Sequence, residues 1–274
     1  MTKGGFTLKG PIRNLLTVAG AIALSLSIAA GTARADLVDD IVQRGTLRVA
    51  VQTQGPPISF VNKEGKRTGF AVEIARRLAN DMGVELKLMS YEWKGLIPAL
   101  LSNKADMIAA DMTPSVQRSL KISFTEPVFF EKVVAFTTAG SGITNMSDIN
   151  AENVAVAATQ GSTHYQIAQE KFPKAEVKEY AGGGPAVAHA VAAGRAEVGV
   201  NNSGSVRGFL REYTDLRRIE GTLRRDPLSF AVRPENTHMM QVLNNYITLL
   251  KVRGQLEDIR AYWWNSDAWR QDHM

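Results

Sequence analysis

One short segment of the sequence has the residue types that bind an anion. The apolar run Val154–Ala158 is followed by Gln160-Gly161-Ser162-Thr163 and then by a helical segment that reaches about Phe172. The free N–H groups and the dipole at such a helix start favour an anion. A hydroxyl at this position also serves as a helix N-cap. The two roles are compatible, so Ser162 and Thr163 are candidate ligand contacts.

The side chains capable of acid–base chemistry form no catalytic pattern. General acid–base catalysis needs a titratable group poised in a cleft, and the candidates are Glu92, Asp111, Glu126 and His164. No carboxylate pair, no Ser-His-Asp order around an elbow motif and no metal-ligand spacing connects them. Gly182-Gly183-Gly184 lacks the G-x-G-x-x-G spacing of a dinucleotide site. We therefore expect no enzymatic activity, no cofactor and no metal.

The elements that carry these residues indicate an α/β fold with largely parallel sheets, because short β-rich runs alternate with segments of helical period. The clearest helix has Phe70, Ile74, Leu78 and Met82 at four-residue spacing and ends at Gly83. The order strand–helix–strand–helix–strand occurs twice, at about 47–110 and 154–201. This repeat predicts two lobes with a ligand-binding crevice between them.

The C-terminal part of the chain predicts interleaved lobes. A strand at Leu228–Val232 precedes a long helix from Thr237 to about Arg253 and a final helix that reaches Tyr262-Trp263-Trp264. Such a tail is able to cross back and complete the first lobe. Gly140-Ser141-Gly142 and Gly182-Gly183-Gly184-Pro185 are predicted turns.

Residues 1–35 have the layout of a signal peptide. Basic residues near the N-terminus precede the uncharged stretch Leu15–Ala30, and Ala33-Arg34-Ala35 offers a cleavage site before Asp36. The stretch is about 16 residues long, whereas a membrane span needs roughly 20 strongly apolar residues. The chain has no Cys, which excludes a lipoprotein and a disulfide framework. We expect a freely diffusing periplasmic protein.

The basic character of the chain comes largely from this leader. The net charge is +5 for all 274 residues. Without the leader, which has four basic residues and no acid, 28 basic and 27 acidic residues remain and the net charge is +1. The charge therefore gives no reason to expect a nucleic-acid or anionic membrane partner.

A series of short motifs runs through the remaining chain. They are Leu47-Arg48-Val49-Ala50-Val51, Pro56-Pro57-Ile58-Ser59-Phe60, Gly69-Phe70, Trp93-Lys94-Gly95-Leu96-Ile97-Pro98-Ala99-Leu100, Lys104-Ala105-Asp106-Met107-Ile108-Ala109, Gln117-Arg118, Ser123-Phe124-Thr125-Glu126-Pro127, Gln160-Gly161-Ser162-Thr163, Gly194-Arg195-Ala196-Glu197 and Tyr262-Trp263-Trp264. Together they resemble the polar amino-acid family of periplasmic substrate-binding proteins that serve ABC transporters. The motifs occur in the family's order and cover essentially the whole mature chain.

The resemblance implies a two-lobed type II periplasmic-binding-protein fold that closes on its ligand. Lobe 1 would comprise residues 36–132 and 231–274, and lobe 2 residues 137–227. The segments 133–136 and 228–230 would be hinge strands. The implied function is capture of a small amino-acid-type ligand and its delivery to an ABC transporter permease, by a monomer.

The resemblance also implies how the ligand is held. Arg118 matches the family's Arg for the ligand α-carboxylate, a role suited to the rigid fork of a guanidinium. Thr113 matches a residue that joins this grip. Ser162 and Thr163 would bind from lobe 2, and Trp93 matches an aromatic that covers the ligand side chain, with a cation–π contribution for a cationic ligand.

Two positions near the expected site of the ligand ammonium differ from the family pattern. The family's acid would fall at Asn202, which has no charge to compensate a buried ammonium. Asp111 stands where the family usually has a small or hydroxyl residue. We therefore expect Asp111 of lobe 1 to replace the acid missing at Asn202.

Further positions bear on the ligand. Gln52 stands where binders of basic side chains often carry an acid, and Gly55 where an aromatic is common. Both disfavour a lysine- or arginine-type ligand. His164 is a candidate contact to the ligand side chain, and a structural role is the alternative. The alternative functions are a dehydratase-like enzyme on this fold, a binder of an amine-free carboxylate that suits Asn202, and a soluble sensor component.

Overall fold

The computed structural model describes residues 1, 2, 4, 5, 36–53 and 55–274. The predicted signal peptide therefore lies almost entirely outside the described residues, and it stays a prediction. Residues Leu37–Met274 form one compact unit. Within the described part of the chain, no helix has the length and apolar character needed to cross a membrane.

The first part of the chain alternates strands and helices, as its hydrophobic pattern predicts. A 3-10 turn at Trp93–Gly95 precedes the third helix. The elements are α1 Leu37–Arg44, β1 Thr46–Gln52, β2 Phe60–Val61, β3 Arg67–Thr68, α2 Phe70–Asp81, β4 Glu85–Tyr91, α3 Leu96–Leu101, β5 Met107–Met112, α4 Val116–Ser119 and β6 Ser123–Phe124.

The second part repeats this alternation and then returns to the first. A π-helical turn at Ala261–Asn265 precedes the last helix. The elements are β7 Phe129–Thr138, β8 Ala155–Thr159, α5 Thr163–Lys171, β9 Glu176–Tyr180, α6 Gly183–Ala192, β10 Val198–Asn202, α7 Ser203–Glu212, β11 Leu216–Arg218, β12 Arg224–Val232, α8 Thr237–Val252, α9 Gln255–Arg260 and α10 Ala268–His273.

Most of these strands form one mixed sheet, which has ten strands in the described residues. Eight of them follow the order β4-β1-β5-β12-β7-β10-β8-β9. Strand β6 pairs with β12, and β11 pairs with β7. Strands β4, β1 and β5 are parallel, as are β10, β8 and β9. In each half, the first strand in the chain lies between the other two. The predicted double repeat is therefore present, with the same strand order in both halves.

Two long antiparallel strands connect the halves. Phe129–Val133 of β7 pairs with Arg224–Leu228 of β12. The rest of β7 pairs with β10 and β11, whereas the end of β12 pairs with β5 and β6. We use lobe 1 for the half that contains β1, β4 and β5, and lobe 2 for the half that contains β8, β9 and β10.

The hydrophobic core is divided in the same way. Two buried clusters contain only residues from 37–129 and 228–269. Two others contain only residues from 133–223. Each half therefore buries its own apolar side chains, as a separate lobe must.

The C-terminal tail packs in the core of lobe 1. Trp264 is buried, and its ring contacts Phe70 at 5.2 Å and Phe129 at 4.7 Å between centroids, both edge to face. Trp263 is also buried and donates a hydrogen bond of 2.6 Å to Glu73 on α2. Burial of each such side chain stabilises the fold by roughly 1.5–3 kcal/mol. The tail thus fixes α2 and β7, which border the crevice.

The segment Gly182-Gly183-Gly184-Pro185, predicted as a turn, is instead the start of a helix. Helix α6 begins at Gly183, and Gly182 is its left-handed N-cap. Proline lacks an N–H, so the first turn of a helix accepts it at little cost. The prediction was wrong because it treated this proline as a helix breaker. The hydrophobic pattern of the sequence also did not predict the crossing strand β7.

Candidate ligand-binding site

A cavity lies between the lobes, and its empty volume of about 470 Å³ includes space that is open to solvent. The cavity lies where β1, β5, β8 and β10 end, the expected ligand position in open α/β sheets. Lobe 1 contributes Gln52, Gly55, Trp93, Asp111 and Thr113, and lobe 2 contributes Thr159, Ser162, Thr163, His164, Gly183, Gly184, Pro185, Asn201, Ser205 and Phe209.

Asp111 is the carboxylate that faces this cavity, and it binds both lobes. One carboxylate oxygen accepts a hydrogen bond of 3.3 Å from Gln52 Nε2 of lobe 1. The other accepts a hydrogen bond of 2.8 Å from Asn202 Nδ2 of lobe 2. Burial raises the pKa of Asp111 to about 6; the charge of Glu131 adds to the increase, and the Asn202 hydrogen bond and Arg118 oppose it.

Asn202 connects Asp111 to His164. The Asn202 amide nitrogen donates to Asp111, so its Oδ1 accepts from His164 Nε2 at 3.0 Å. Burial lowers the pKa of His164, which keeps the ring neutral at pH 7. Its Nδ1 is then an acceptor, and it is buried without a hydrogen-bond partner among the described residues. This nitrogen suits a donor group of a ligand.

Arg118 lies beside the residues that line the cavity. Its Nη1 donates 2.8 Å to the Thr113 carbonyl, and its Nη2 donates 3.3 Å to the Gly161 carbonyl of lobe 2. Its guanidinium carbon is 5.5 Å from the ring centre of Trp93, and Trp93 Nε1 also donates to Gly161. Burial lowers the pKa of Arg118 to about 10, against the attraction of Asp111 and Asp226. The group remains cationic at pH 7.

The hydroxyls predicted to bind the ligand differ in their availability. Ser162 caps α5 by accepting from Tyr165 N–H, and it donates to the Thr159 carbonyl at 2.6 Å. Thr113 donates to the buried Asp226 carboxylate at 3.3 Å. The structure gives the Thr163 hydroxyl no protein partner in the described part of the chain, although the residue is buried at the cavity. Thr163 is therefore the freest donor of the three.

The structure brings the candidate residues together. Seven of the nine line the cavity, and the remaining two, Arg118 and Asn202, bond to lining residues or to Gly161. Glu126 is separate, because its carboxylate accepts from Thr248 and pairs with Lys251. No group of described His, Asp and Glu side chains is arranged to hold a metal ion.

The sequence analysis did not identify part of the lobe 2 wall of the cavity. The side chains of Thr159, Asn201, Ser205 and Phe209 lie on it, and the first turn of α6 completes it. A signal for part of it was present: Asn201-Asn202-Ser203 ends an apolar strand, where a helix start at the crevice is expected.

Comparison with known proteins gives the family of the chain. The model of the bacterial extracellular solute-binding proteins, family 3, matches residues 47–266. The chain belongs to this family. The match spans both lobes and all of the site described above.

Relatives of family 3 with this fold include proteins of known ligands. The L-cystine-binding protein of Escherichia coli strain K12 is 25% identical over 235 residues, which are 85% of this chain and 87% of the relative. A binding component of an ABC transporter from Wolinella succinogenes, complexed with lysine, has a TM-score of 0.78 at 26% identity, over 83% and 99% of the two chains. An ancestral amino-acid-binding protein, a precursor of cyclohexadienyl dehydratase, has a TM-score of 0.77 at 29% identity, over 83% and 99%. The chain thus has the two-lobed type II fold and a solute-binding role.

Proposed function

We propose that this family 3 protein binds a small α-amino acid and delivers it to an ABC transporter permease. One observation carries the proposal: the carboxylate of Asp111 lines the cavity between the lobes, and the guanidinium of Arg118 lies beside it, bound to the carbonyl of the lining residue Thr113. A zwitterion offers the matching pair of charges. The relatives that bind cystine and lysine support an amino-acid ligand.

The ligand α-carboxylate would bind Arg118 and the start of α5 at Thr163. Arg118 has donors beyond the two N–H groups bound to carbonyls. The α-ammonium would bind Asp111, in place of the acid that Asn202 lacks. Asp111 accepts one hydrogen bond on each oxygen, and a carboxylate oxygen has a further lone pair for an ammonium.

Closure would take place about the crossing strands. We place the moving bodies at 36–132 with 231–274 and at 137–227. The pairing of 129–133 with 224–228 supports a hinge at or next to the predicted segments 133–136 and 228–230. A ligand that contacts both lobes favours only the closed state, which gives the differential affinity that a population shift requires. The permease would bind this closed state.

The setting of the protein follows from the same proposal. The leader at 1–35 would direct export, with cleavage near Asp36, and the protein would act as a monomer in the periplasm. Its partner would be a membrane permease, and it would need no cofactor.

A thermal-shift screen of purified 36–274 tests the proposal. The panel is the L-amino acids, cystine included, with keto acids and small cyclic carboxylates. A ligand at 100 times Kd adds roughly 2.7 kcal/mol of stability, a shift of a few degrees. We expect hits among amino acids that disappear in Arg118→Ala and persist in the exposed control Arg253→Ala. Hits confined to amine-free acids would contradict the proposal.

A second function, a dehydratase-like enzyme, has one observation in its favour. Asp111 has a pKa of about 6 and is connected through Asn202 to His164, whose Nδ1 is unpartnered. Such groups suit proton transfer. Recovery of the bound compound from the protein separates the two functions, since an enzyme would return it chemically altered.

A further inference from the structure

The lobe 2 wall of the cavity has hydrogen-bond donors that the protein does not use. Thr159, Thr163, Asn201 and Ser205 are only 6%, 5%, 4% and 7% exposed, and all four line the cavity. Among the described residues, the structure gives no hydrogen-bond partner to their hydroxyls or to Asn201 Nδ2. None of these atoms belongs to the fully enclosed, unpartnered side-chain atoms of the described residues, so they are accessible from the cavity. Four accessible and unused groups on one wall favour a polar ligand group.

Two helix starts reinforce this wall. Helices α6 and α7 have ten residues each, and neither has a side-chain hydrogen bond at its N-cap. The first residues of α6, Gly183 and Gly184, line the cavity, as does Ser205 in the first turn of α7. Uncapped N–H groups at helix starts favour negative or acceptor groups and disfavour cations.

Gly184 brings the α6 backbone unusually close to its neighbours. A Cβ at this position would lie 2.9 Å from Phe209 Cζ and 3.1 Å from Asn201 Nδ2. The donor of Asn201 and the start of α6 are thus held against each other, with the Phe209 ring beside them. The proposed function assigns Thr163 to the ligand α-carboxylate, and the other three donors lie on the lobe 2 wall with Gly184 and Phe209. We define this subsite as Thr159, Gly184, Asn201, Ser205 and Phe209.

The charges of the cavity are distributed unequally. Among the described residues of lobe 2 that line it, none has a carboxylate. The carboxylate of the lining is Asp111 of lobe 1, which the proposed function assigns to the ligand ammonium. A cationic side chain would find no second counter-charge, and burying an unpaired cation costs several kcal/mol.

We propose that the subsite selects an amino acid whose side chain ends in a hydrogen-bond acceptor, a carboxylate or a carboxamide. This inference rests on the proposed function, because the α-carboxylate and α-ammonium are taken to bind Arg118 and Asp111. The side chain then extends toward the donors of lobe 2. Basic amino acids are excluded by the absence of an acid on that wall.

Calorimetric titration with four five-carbon amino acids tests the inference. L-Glutamine and L-glutamate end in acceptors, L-norvaline is their apolar counterpart, and L-ornithine is the cationic one. We expect glutamine or glutamate to bind at least about tenfold more tightly than norvaline, since each lost hydrogen bond to a buried group weakens binding several-fold. Ornithine should bind most weakly.

Ser205→Ala and Thr159→Val each remove one subsite hydroxyl without adding bulk. Each should weaken binding of the acceptor ligand about three- to tenfold and leave norvaline unchanged, which also shows that the variant is folded. Ser90→Ala, on the exposed edge strand β4, is the matched control. Equal losses for norvaline, or no loss for the acceptor ligand, would contradict the inference.

The failures of the two proposals are distinguishable. Tighter binding of norvaline or ornithine, or binding of none of the four while an α-amino acid other than aspartate or asparagine binds, overturns the inference and leaves the proposed function intact. Binding of no α-amino acid in the wider panel overturns both.

Discussion

The two walls of the cavity use different physical means to hold a ligand. Lobe 1 has the charged Asp111, with Arg118 and the Trp93 ring beside it. Lobe 2 has neutral hydroxyls and amides and the starts of helices. In the proposed function, strong but unselective attraction to a zwitterion would belong to lobe 1. Discrimination among side chains would belong to lobe 2, where unused donors would penalise a ligand that leaves them unpaired.

The difference also gives an order of events. In the proposed function, the charged wall would attract the ligand while it is still accessible to water, and the neutral wall would bind it only after closure removes water. The same two charged side chains also form hydrogen bonds between the lobes. Asn202 of lobe 2 donates to Asp111, and Arg118 donates to the Gly161 carbonyl of lobe 2. Closure and ligand binding are thus coupled through lobe 1, because both depend on these two side chains.

The largest expected effect comes from removing the anion of the charged wall. Asp111→Asn should weaken binding of the identified amino acid by about 100-fold or more, because a buried ammonium then has no counter-charge. Isothermal titration at pH 7.5 measures this, with the exposed Asp215→Asn as the control. An unchanged affinity would mean that the ammonium is bound elsewhere and that the two walls do not differ as described.

A smaller effect comes from titrating the same carboxylate. Burial raises the pKa of Asp111 to about 6, and an ammonium binds the deprotonated form. Affinity should therefore fall about tenfold between pH 7 and pH 5. Arg118 stays cationic over this range because its pKa of about 10 lies well above it, and burial lowers the pKa of His164, which favours its neutral form.

The pH dependence has its own control. In Asp111→Asn, the residual affinity should be independent of pH between 5 and 7. A slope that persists in the variant would assign the titration to another group.

The charged wall was largely predictable from the sequence, whereas the neutral wall was predictable only at Ser162, Thr163 and His164. Asp111, Thr113 and Arg118 lie within eight consecutive residues at the end of one strand, so local order alone brings them together. Thr159, Asn201 and Ser205 come from separate strand ends and helix starts. Their meeting depends on the sheet order, which no local pattern contains.

The fold shows the same limit. The helix at Phe70–Asp81 follows from its hydrophobic period. The start of α6 was missed because glycine and proline are typical of turns as well as of helix starts. The hydrogen bond between Asp111 and Asn202 spans 91 positions, and no spacing rule predicts which amide a buried carboxylate will contact.

The smallest expected effect concerns the stability of the protein without a ligand. The folded pKa of Asp111, about 6, lies above its ordinary value of 3.8. Between these values the folded state binds more protons than the unfolded state, so stability falls as the pH rises through this range. At pH 7.5 the buried charge therefore destabilises the unliganded protein.

Asp111→Asn should remove this cost. We expect about 1–2 kcal/mol of added stability at pH 7.5, less than the full pKa difference implies because the side chain is partly exposed at the cavity. The gain should shrink at pH 4.5, where the carboxyl is already protonated in the fold.

Urea melts of both proteins at the two pH values measure this gain in stability, with Ser205→Ala as the neutral-wall counterpart. Because Ser205→Ala removes no charge, its effect on stability should be the same at both pH values. A variant Asp111→Asn that is less stable at pH 7.5 would show that the fold, and not the ligand, uses this carboxylate.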